Sequence, residues 1–148
     1  MIIGSLLNHK EFKDQDILAD KIKSILTNPK IIIGGYNQSL KFLCVQIVAR
    51  YYGINQEFQK VIELCENAIK QLKQIRLYYM FDYCYYYLSL AHDALGNTIE
   101  RDEAMFRCYS MLLAENNPAK YKKFKDLFEA DYKIDLKSYM LGYISKNT

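Results

Sequence analysis

The sequence has no tryptophan and contains few turn-forming residues, with 2 prolines and 6 glycines in 148 residues. Turn-rich β folds need more of both residue types, and disordered chains are poorer in hydrophobic residues than the 51% found here. The chain has instead 14 tyrosines and 7 phenylalanines, which supply rings for a core. The composition predicts an ordered, all-α protein, and the length predicts a single helical domain over residues 1–148.

Signals for membrane insertion and nucleic-acid binding are also missing. No run of 18 apolar residues could span a bilayer, and the first residues do not form a signal peptide, so we expect a cytoplasmic chain without a membrane partner. The 20 basic and 17 acidic residues are spread along the chain and give a formal charge of only +3. The densest basic stretch, KYKKFK at 120–125, is a weak signal, and we expect no direct nucleic-acid binding.

Catalytic and metal motifs are absent from the sequence. It has no glycine-rich phosphate loop, and its two histidines, His9 and His92, are isolated, so we expect no enzyme activity and no cofactor. The four cysteines form no C-x-x-C pair and lie in apolar helical contexts, which predicts buried free thiols and no metal site. These cysteines are Cys44, Cys65, Cys84 and Cys108.

Apolar residues recur at helical spacing between turn-forming residues. Ser39 is a candidate N-cap of the second helix, on the condition that the preceding Gly-Gly pair stays outside it. The segment 77–95 is apolar or aromatic on nearly every side, so it is expected to be the most central helix. The predicted helices cover residues 10–27, 36–52, 56–75, 77–95, 100–115, 118–132 and 136–144.

The helix pairs 42–72 and 82–115 resemble each other. Cys44 aligns with Cys84, and the second helices align if the later turn is three residues longer, which matches Cys65 with Cys108. Small residues at the helix contacts resemble the tetratricopeptide repeat, which implies a right-handed array of antiparallel helix pairs, an α-solenoid, with residues 10–27 as part of a preceding unit. The alternative is an array of helical hairpins without repeat ancestry.

A further likeness concerns the run EFQKVIELCENAIKQLKQIRLYYMFDYCYYYLSLAHDALGNTIERDEAMFRCYSML. It resembles the C-terminal repeats of the Rap, Rgg, NprR, PlcR and PrgX group of peptide-sensing regulators from Gram-positive bacteria. The resemblance implies the peptide-binding, quorum-sensing part of a cytoplasmic transcriptional regulator, with a short signalling peptide on its concave face. Most members carry an N-terminal DNA-binding domain, so the chain would be a fragment or a member lacking that domain.

The concave face of such an array is lined mainly by the first helix of each pair. Amide, guanidinium and phenol groups there can bind a peptide backbone, and Arg50 can pair with a terminal carboxylate. Tyr78, Tyr79, Cys84, Leu88 and Ala91 are expected to pack in the core, whereas Tyr83, Tyr86 and Tyr87 suit either role. The candidate peptide-binding residues are Gln46, Arg50, Tyr83, Tyr86, Tyr87, Leu90 and Asp93.

The alternative function is an interaction scaffold that binds a partner protein, or a second copy as a homodimer, and no small ligand. Phe124, Leu127 and Phe128 are expected to form an exposed apolar face that suits self-association.

Overall fold

A computed structural model of the chain describes the backbone of residues 35–74 and 80–148, and the side chains of residues 45–74 and 80–148. The described residues form helices and no strand, which confirms the predicted all-α class for that part of the chain. They fall into two compact units, which divide between residues 76 and 77. The helices are α1 (Gly35–Ile54), α2 (Phe58–Gln74), α3 (Phe81–Ala94), α4 (Thr98–Glu115), α5 (Pro118–Tyr132) and α6 (Leu136–Lys146).

In the first unit α1 and α2 pack against each other as an antiparallel pair joined by residues 55–57. The buried residues of α2 recur at helical spacing, and its exposed face carries lysines and glutamates, as the sequence predicts. The predicted N-cap at Ser39 is wrong, because α1 begins at Gly35 and Ser39 lies inside the helix. A glycine such as Gly35 does not exclude a helix start when packing, rather than propensity, stabilises the helix.

The second unit contains four helices, α3 to α6. Nine of the 14 residues of α3 are buried, which confirms that this helix is covered on most sides. α3 packs against α4, and α4 packs against both α5 and α6. The side chains of Phe124, Phe128, Leu136 and Met140 have no exposed surface, so the start of α6 and one face of α5 form part of this core.

The later helices begin at side-chain caps. Asn117 Oδ1 accepts a hydrogen bond from the Lys120 N–H at 3.2 Å, and Pro118 occupies the first turn of α5, where its missing N–H costs nothing. Asp135 Oδ2 accepts from the Ser138 N–H at 3.1 Å and begins α6 in the same way. These caps explain why the predicted start of each helix agrees with the structure.

The turns that follow α1 and α3 have the same backbone geometry. Gln56 and Gly96 occupy the left-handed region, at φ 59° and 78°. The N–H of Gln56 donates to the Gly53 carbonyl at 3.1 Å and that of Glu57 to the Tyr52 carbonyl at 2.8 Å; the equivalent bonds after α3 measure 3.0 and 2.8 Å. This bonding is the Schellman motif, which closes a helix through a left-handed residue.

The two turns are equally long, so the predicted three-residue lengthening of the second turn is wrong. A constant offset of 40 residues aligns both helix pairs, and Cys65 then matches Met105 rather than Cys108. Four of the six buried residues of α2 align with buried residues of α4, whereas Val61 and Ile62 align with the half-buried Arg101 and Asp102. The four pairs are Cys65 with Met105, Ala68 with Cys108, Ile69 with Tyr109, and Leu72 with Leu112.

Side-chain contacts show that α3 and α5 run in the same direction. Asp82 contacts Lys120 near the start of both helices, and Ser89 contacts Tyr132 near the end of both. α4 and α6 are also parallel, because Asp102 contacts Tyr139 and Phe106 contacts Tyr143. Within this unit, therefore, α5 and α6 stack on α3 and α4 in register, first helix on first helix and second on second.

The expected exposed apolar face of α5 is wrong. Phe124 and Phe128 are fully buried against the ring of Tyr86, and Leu127 is half-buried. Because α5 stacks beside α3, the rings of Phe124 and Phe128 lie against α3 and not in solvent. Several predictions lie outside the described residues: the helix over 10–27 and the packing of Cys44, Tyr78 and Tyr79.

Candidate functional site

Five of the seven predicted peptide-binding residues are accessible. In the first unit, Gln46 is half-buried and Arg50 is exposed. In the second, Tyr83 and Leu90 are half-buried and Asp93 is exposed. At the 40-residue offset Arg50 corresponds to Leu90, so the same position on the first helix of each pair remains open to solvent.

Tyr86 is buried and its side chain joins α3 to α5. Its ring packs edge-on against Phe124 and Phe128, with centroids 5.8 and 5.2 Å away. Its hydroxyl donates to Asp131 Oδ2 at 2.6 Å. Burial raises the pKa of Tyr86 far above its usual range, and the hydrogen bond to Asp131 adds to the shift. Tyr87 is also buried and lies beside Tyr86, so both side chains have a packing role in the fold.

Tyr83 is more accessible than Tyr86 and Tyr87. Its ring packs edge-on against Phe124 at 4.7 Å, and its hydroxyl accepts a hydrogen bond from Lys123 Nζ at 2.9 Å. Because Lys123 is exposed, this phenol and ammonium lie together at the surface. They form a polar pair that a ligand can reach.

The carboxylate of Asp93 belongs to a network centred on Arg101. Arg101 donates from Nη1 to Asp93 Oδ1 at 2.9 Å and from Nε to Asp102 Oδ1 at 3.0 Å. The Tyr139 hydroxyl donates to the same Asp102 oxygen at 2.6 Å, and the guanidinium lies 5.9 Å from the centre of the Tyr132 ring. The network connects all four helices of the second unit, so Asp93 has a structural partner besides any ligand.

A second charged cluster lies deeper in the same unit and was not predicted. Lys120 Nζ lies 2.6 Å from Asp82 Oδ2 and 2.8 Å from Glu115 Oε2. Asp82 has no exposed surface, and its Oδ1 accepts from the Tyr83 N–H at 2.8 Å. The three side chains come from α3, α4 and α5, and they meet where α4 ends and α5 begins.

Burial controls the protonation of this cluster and its neighbours. Desolvation raises the pKa of Asp82 to about 6, against the opposing effect of the Lys120 hydrogen bond. Burial also raises the pKa of Cys84 to about 12 and that of Cys108 well above its usual range, and the nearby Asp82 carboxylate adds to both shifts. Both thiols are therefore protonated and unreactive at neutral pH.

One signal for this cluster was present in the sequence. Asp82 is the only charged residue between Phe81 and His92, in a helix that is otherwise aromatic, apolar or small. An acid in such a segment needs a buried cation, and KYKKFK was the nearest concentration of lysines in the following helices. By itself that stretch is only a weak nucleic-acid signal, whereas in the structure Lys120 contacts Asp82 and Lys123 contacts Tyr83, both on α3.

Other kinds of site are not found in the described part of the chain. Cys65, Cys84 and Cys108 are buried, as predicted, and no group of three His, Cys, Asp or Glu side chains there could hold a metal ion. No helix of residues 35–74 or 80–148 is both long and apolar enough to cross a membrane. Comparison of the chain with protein-family models, with curated proteins and with solved structures finds no match.

Proposed function

We propose that the chain is a peptide-binding regulatory module built from tetratricopeptide-like helix pairs. The observation that carries the proposal is the equivalence of the two Schellman turns, which occur 40 residues apart with matching hydrogen bonds. Equivalent turns followed by equivalent buried positions are what a repeated helix pair produces. Helical repeats of this kind serve mainly as binding surfaces.

The parallel contacts within the second unit extend this argument. When first helices stack on first helices and second on second, successive pairs form a right-handed array whose inner face is lined by the first helices. α3 and α5 are neighbours of this type, joined by Tyr86 and Asp131.

The accessible side chains on the first helices suit a short peptide. An extended peptide presents backbone donors and acceptors and a terminal carboxylate, all of which need polar partners. In the first unit Arg50 offers a guanidinium and Gln46 an amide. In the second unit Tyr83 with Lys123 offers a phenol beside an ammonium, and Leu90 adds an apolar contact that would accommodate a side chain of a peptide.

The regulatory part of the proposal comes from the resemblance to the peptide-sensing transcriptional regulators. In that group the repeats receive a signalling peptide in the cytoplasm and pass the signal to a DNA-binding domain or a partner protein. We propose the same role here, with the described residues acting in peptide recognition and not in DNA contact.

The direct test is to recover a ligand. The purified chain would be incubated with concentrated culture medium from its own source, re-isolated, and its bound peptides identified by mass spectrometry. We expect one enriched short peptide, whose synthetic form raises the melting temperature of the chain. The absence of any enriched peptide would contradict the proposal.

Variants then locate the site with the synthetic peptide. Arg50→Gln removes the exposed charge, and Tyr83→Phe removes a hydroxyl while keeping the ring against Phe124. Each should weaken binding about tenfold, because a charge-assisted hydrogen bond is lost. Lys70→Gln, on the exposed face of α2, is the matched control and should bind normally. Equal affinity of all three variants would place the peptide elsewhere.

The scaffold alternative has one observation in its favour. Leu95 and Ile99, on either side of Gly96, are 45% and 79% exposed. A partner protein that contacts this turn would cover both side chains. If the chain retains a specific protein and no peptide, and if Ile99→Ser abolishes that retention, the scaffold function is correct.

A further inference from the structure

The charges of the Asp82 cluster do not balance. Two carboxylates, Asp82 and Glu115, share the single ammonium of Lys120. With both acids ionised the cluster carries one excess negative charge, and the Asp82 carboxylate has no exposure to water. A buried excess charge is costly, and the usual remedy is uptake of a proton.

The hydrogen bonding of the cluster also leaves room for a proton. Glu115 Oε1 is buried, and no donor among the described residues reaches it. Asp82 uses Oδ1 for the Tyr83 N–H and directs Oδ2 at the ammonium. A carboxylate only accepts hydrogen bonds, whereas a protonated carboxyl group also donates one, so a proton would supply the missing donor.

We propose that this cluster is a proton-binding site, and that uptake of one proton stabilises the packing of α5 against α3 and α4. The location supports the coupling, because the three side chains come one from each of these helices, at the junction of α4 and α5. Among the described residues, the other ionisable groups near the cluster are the thiols of Cys84 and Cys108 and the phenol of Tyr83, whose ring lies 5.7 Å from Lys120 Nζ and whose hydroxyl accepts from Lys123. Burial keeps both thiols neutral at physiological pH, and Lys123 is exposed and is bonded to the phenol rather than to either carboxylate. The device does not depend on what the module binds.

The sign of the pH effect follows from the direction of the shift. The pKa of Asp82 is raised to about 6, above the value of about 3.9 expected in an unfolded chain. Between these values the folded protein holds more protons than the unfolded one. The contribution of the cluster to stability is therefore largest below about pH 4 and falls as the pH rises through about 6. Because two acids share one lysine, the proton belongs to the pair and not to Asp82 alone.

The first experiment leaves the chain unaltered. The side-chain carboxyl carbons would be followed by carbon-13 NMR from pH 3 to pH 8. We expect the Asp82 resonance to titrate with an inflection near pH 6. An Asp82 inflection near pH 4 would overturn the proposal.

The second experiment tests the coupling to packing. Hydrogen-exchange protection factors of the α5 amides, corrected for the intrinsic exchange rate, would be compared at pH 5 and pH 7.5. We expect protection of α5 to be several-fold higher at pH 5 in the unaltered chain. Asp82→Asn keeps the shape and removes the titration, so this difference should disappear, and Asp126→Asn is the matched control that should retain it.

If Asp82→Asn fails to fold, Glu115→Gln removes the excess charge from the less buried acid and should likewise abolish the difference. An unaltered chain whose α5 protection is the same at both pH values would refute the coupling.

Discussion

Replacement of Tyr86 separates the two roles that its sequence position allows. If the tyrosine is a packing residue, its removal lowers the free energy of unfolding whether or not a ligand is present. Tyr86→Phe removes a hydroxyl that donates to Asp131 at 2.6 Å. A hydrogen bond to a charged group contributes about 1.5–3 kcal/mol. Because Asp131 is exposed and water can solvate it afterwards, we expect a loss near the lower end, about 1.5 kcal/mol.

Tyr86→Ala also removes the ring. The ring lies 5.8 Å from Phe124 and 5.2 Å from Phe128, both of which have no exposed surface, so the truncation leaves a cavity that these side chains cannot easily fill. Truncation of a buried aromatic residue costs about 3–5 kcal/mol. That cost is a large fraction of the roughly 5–15 kcal/mol by which ordinary domains are stable. We therefore expect Tyr86→Ala to fold weakly.

Urea unfolding followed by circular dichroism at 222 nm measures both changes. With an m-value of about 1–3 kcal/mol per molar, the Tyr86→Phe midpoint should fall by roughly 0.5–1.5 M. Tyr83→Phe is the matched control, since that hydroxyl accepts from an exposed lysine, and its midpoint should stay within about 0.3 M of the original. A Tyr86→Ala variant as stable as the original chain would refute the packing role and favour a ligand contact.

Four further changes test the turns and caps. Gln56→Gly should raise the free energy of unfolding by about 1 kcal/mol, and Gly96→Ala should lower it by about 1–2 kcal/mol, because both residues have left-handed backbone conformations. No atom lies within 4 Å of the Cβ that would be added at Gly96, so only backbone strain acts there. Unfolding midpoints that move in the opposite directions would contradict the shared turn. Asn117→Ala should cost about 1 kcal/mol through loss of the α5 cap, and an unchanged midpoint would contradict that role. Hydrogen bonds from Ser138 lower the pKa of Asp135. The stabilisation by this cap is therefore present above an ordinary carboxyl pKa and is lost as the pH falls through the lowered value. Asp135→Ala should remove this acid dependence from a series of melting temperatures measured at different pH.

The described helices could be predicted from the sequence because their signals are local. The segment 118–132 was predicted with the bounds that the structure has, since Asn117 and Pro118 mark its start. Side-chain periodicity identified the buried face of α2 in the same way. At α1 the expected cap at Ser39 was wrong because glycines at a helix start weaken the propensity without forbidding the helix.

The equal length of the two repeat turns was harder to predict. A glycine at the left-handed position is the usual mark of a Schellman turn, and Gly96 provides it. The equivalent residue of the first pair is Gln56, which carries no such mark. Matching cysteine with cysteine requires an insertion in the second turn, whereas at the constant offset buried positions such as Cys65 and Met105 match without sharing a residue type.

The charged contacts of α3 could not be predicted, because they depend on which helix becomes its neighbour. Helical periodicity identifies a face but does not identify the partner of that face, so Phe124 and Phe128 were expected on the surface and no partner was expected for Lys120. Stacking of α5 beside α3 buries the two rings and moves the ammonium to Asp82.

The polar contacts between α3 and α5 also fix their register. Rings alone tolerate sliding, since an edge-to-face contact can be made again one turn along the helix. A hydrogen bond between two particular side chains is lost in such a shift. A shift that moves Lys120 away from Asp82 without bringing Lys123 into its place would also leave the carboxylate buried without a cation, which is far more costly than a lost apolar contact. The buried charge therefore selects one alignment of the stacked helices, at the expense of a site that is sensitive to protonation. The contacts that share this role are Asp82 with Lys120, Tyr83 with Lys123, Tyr86 with Asp131, and Ser89 with Tyr132.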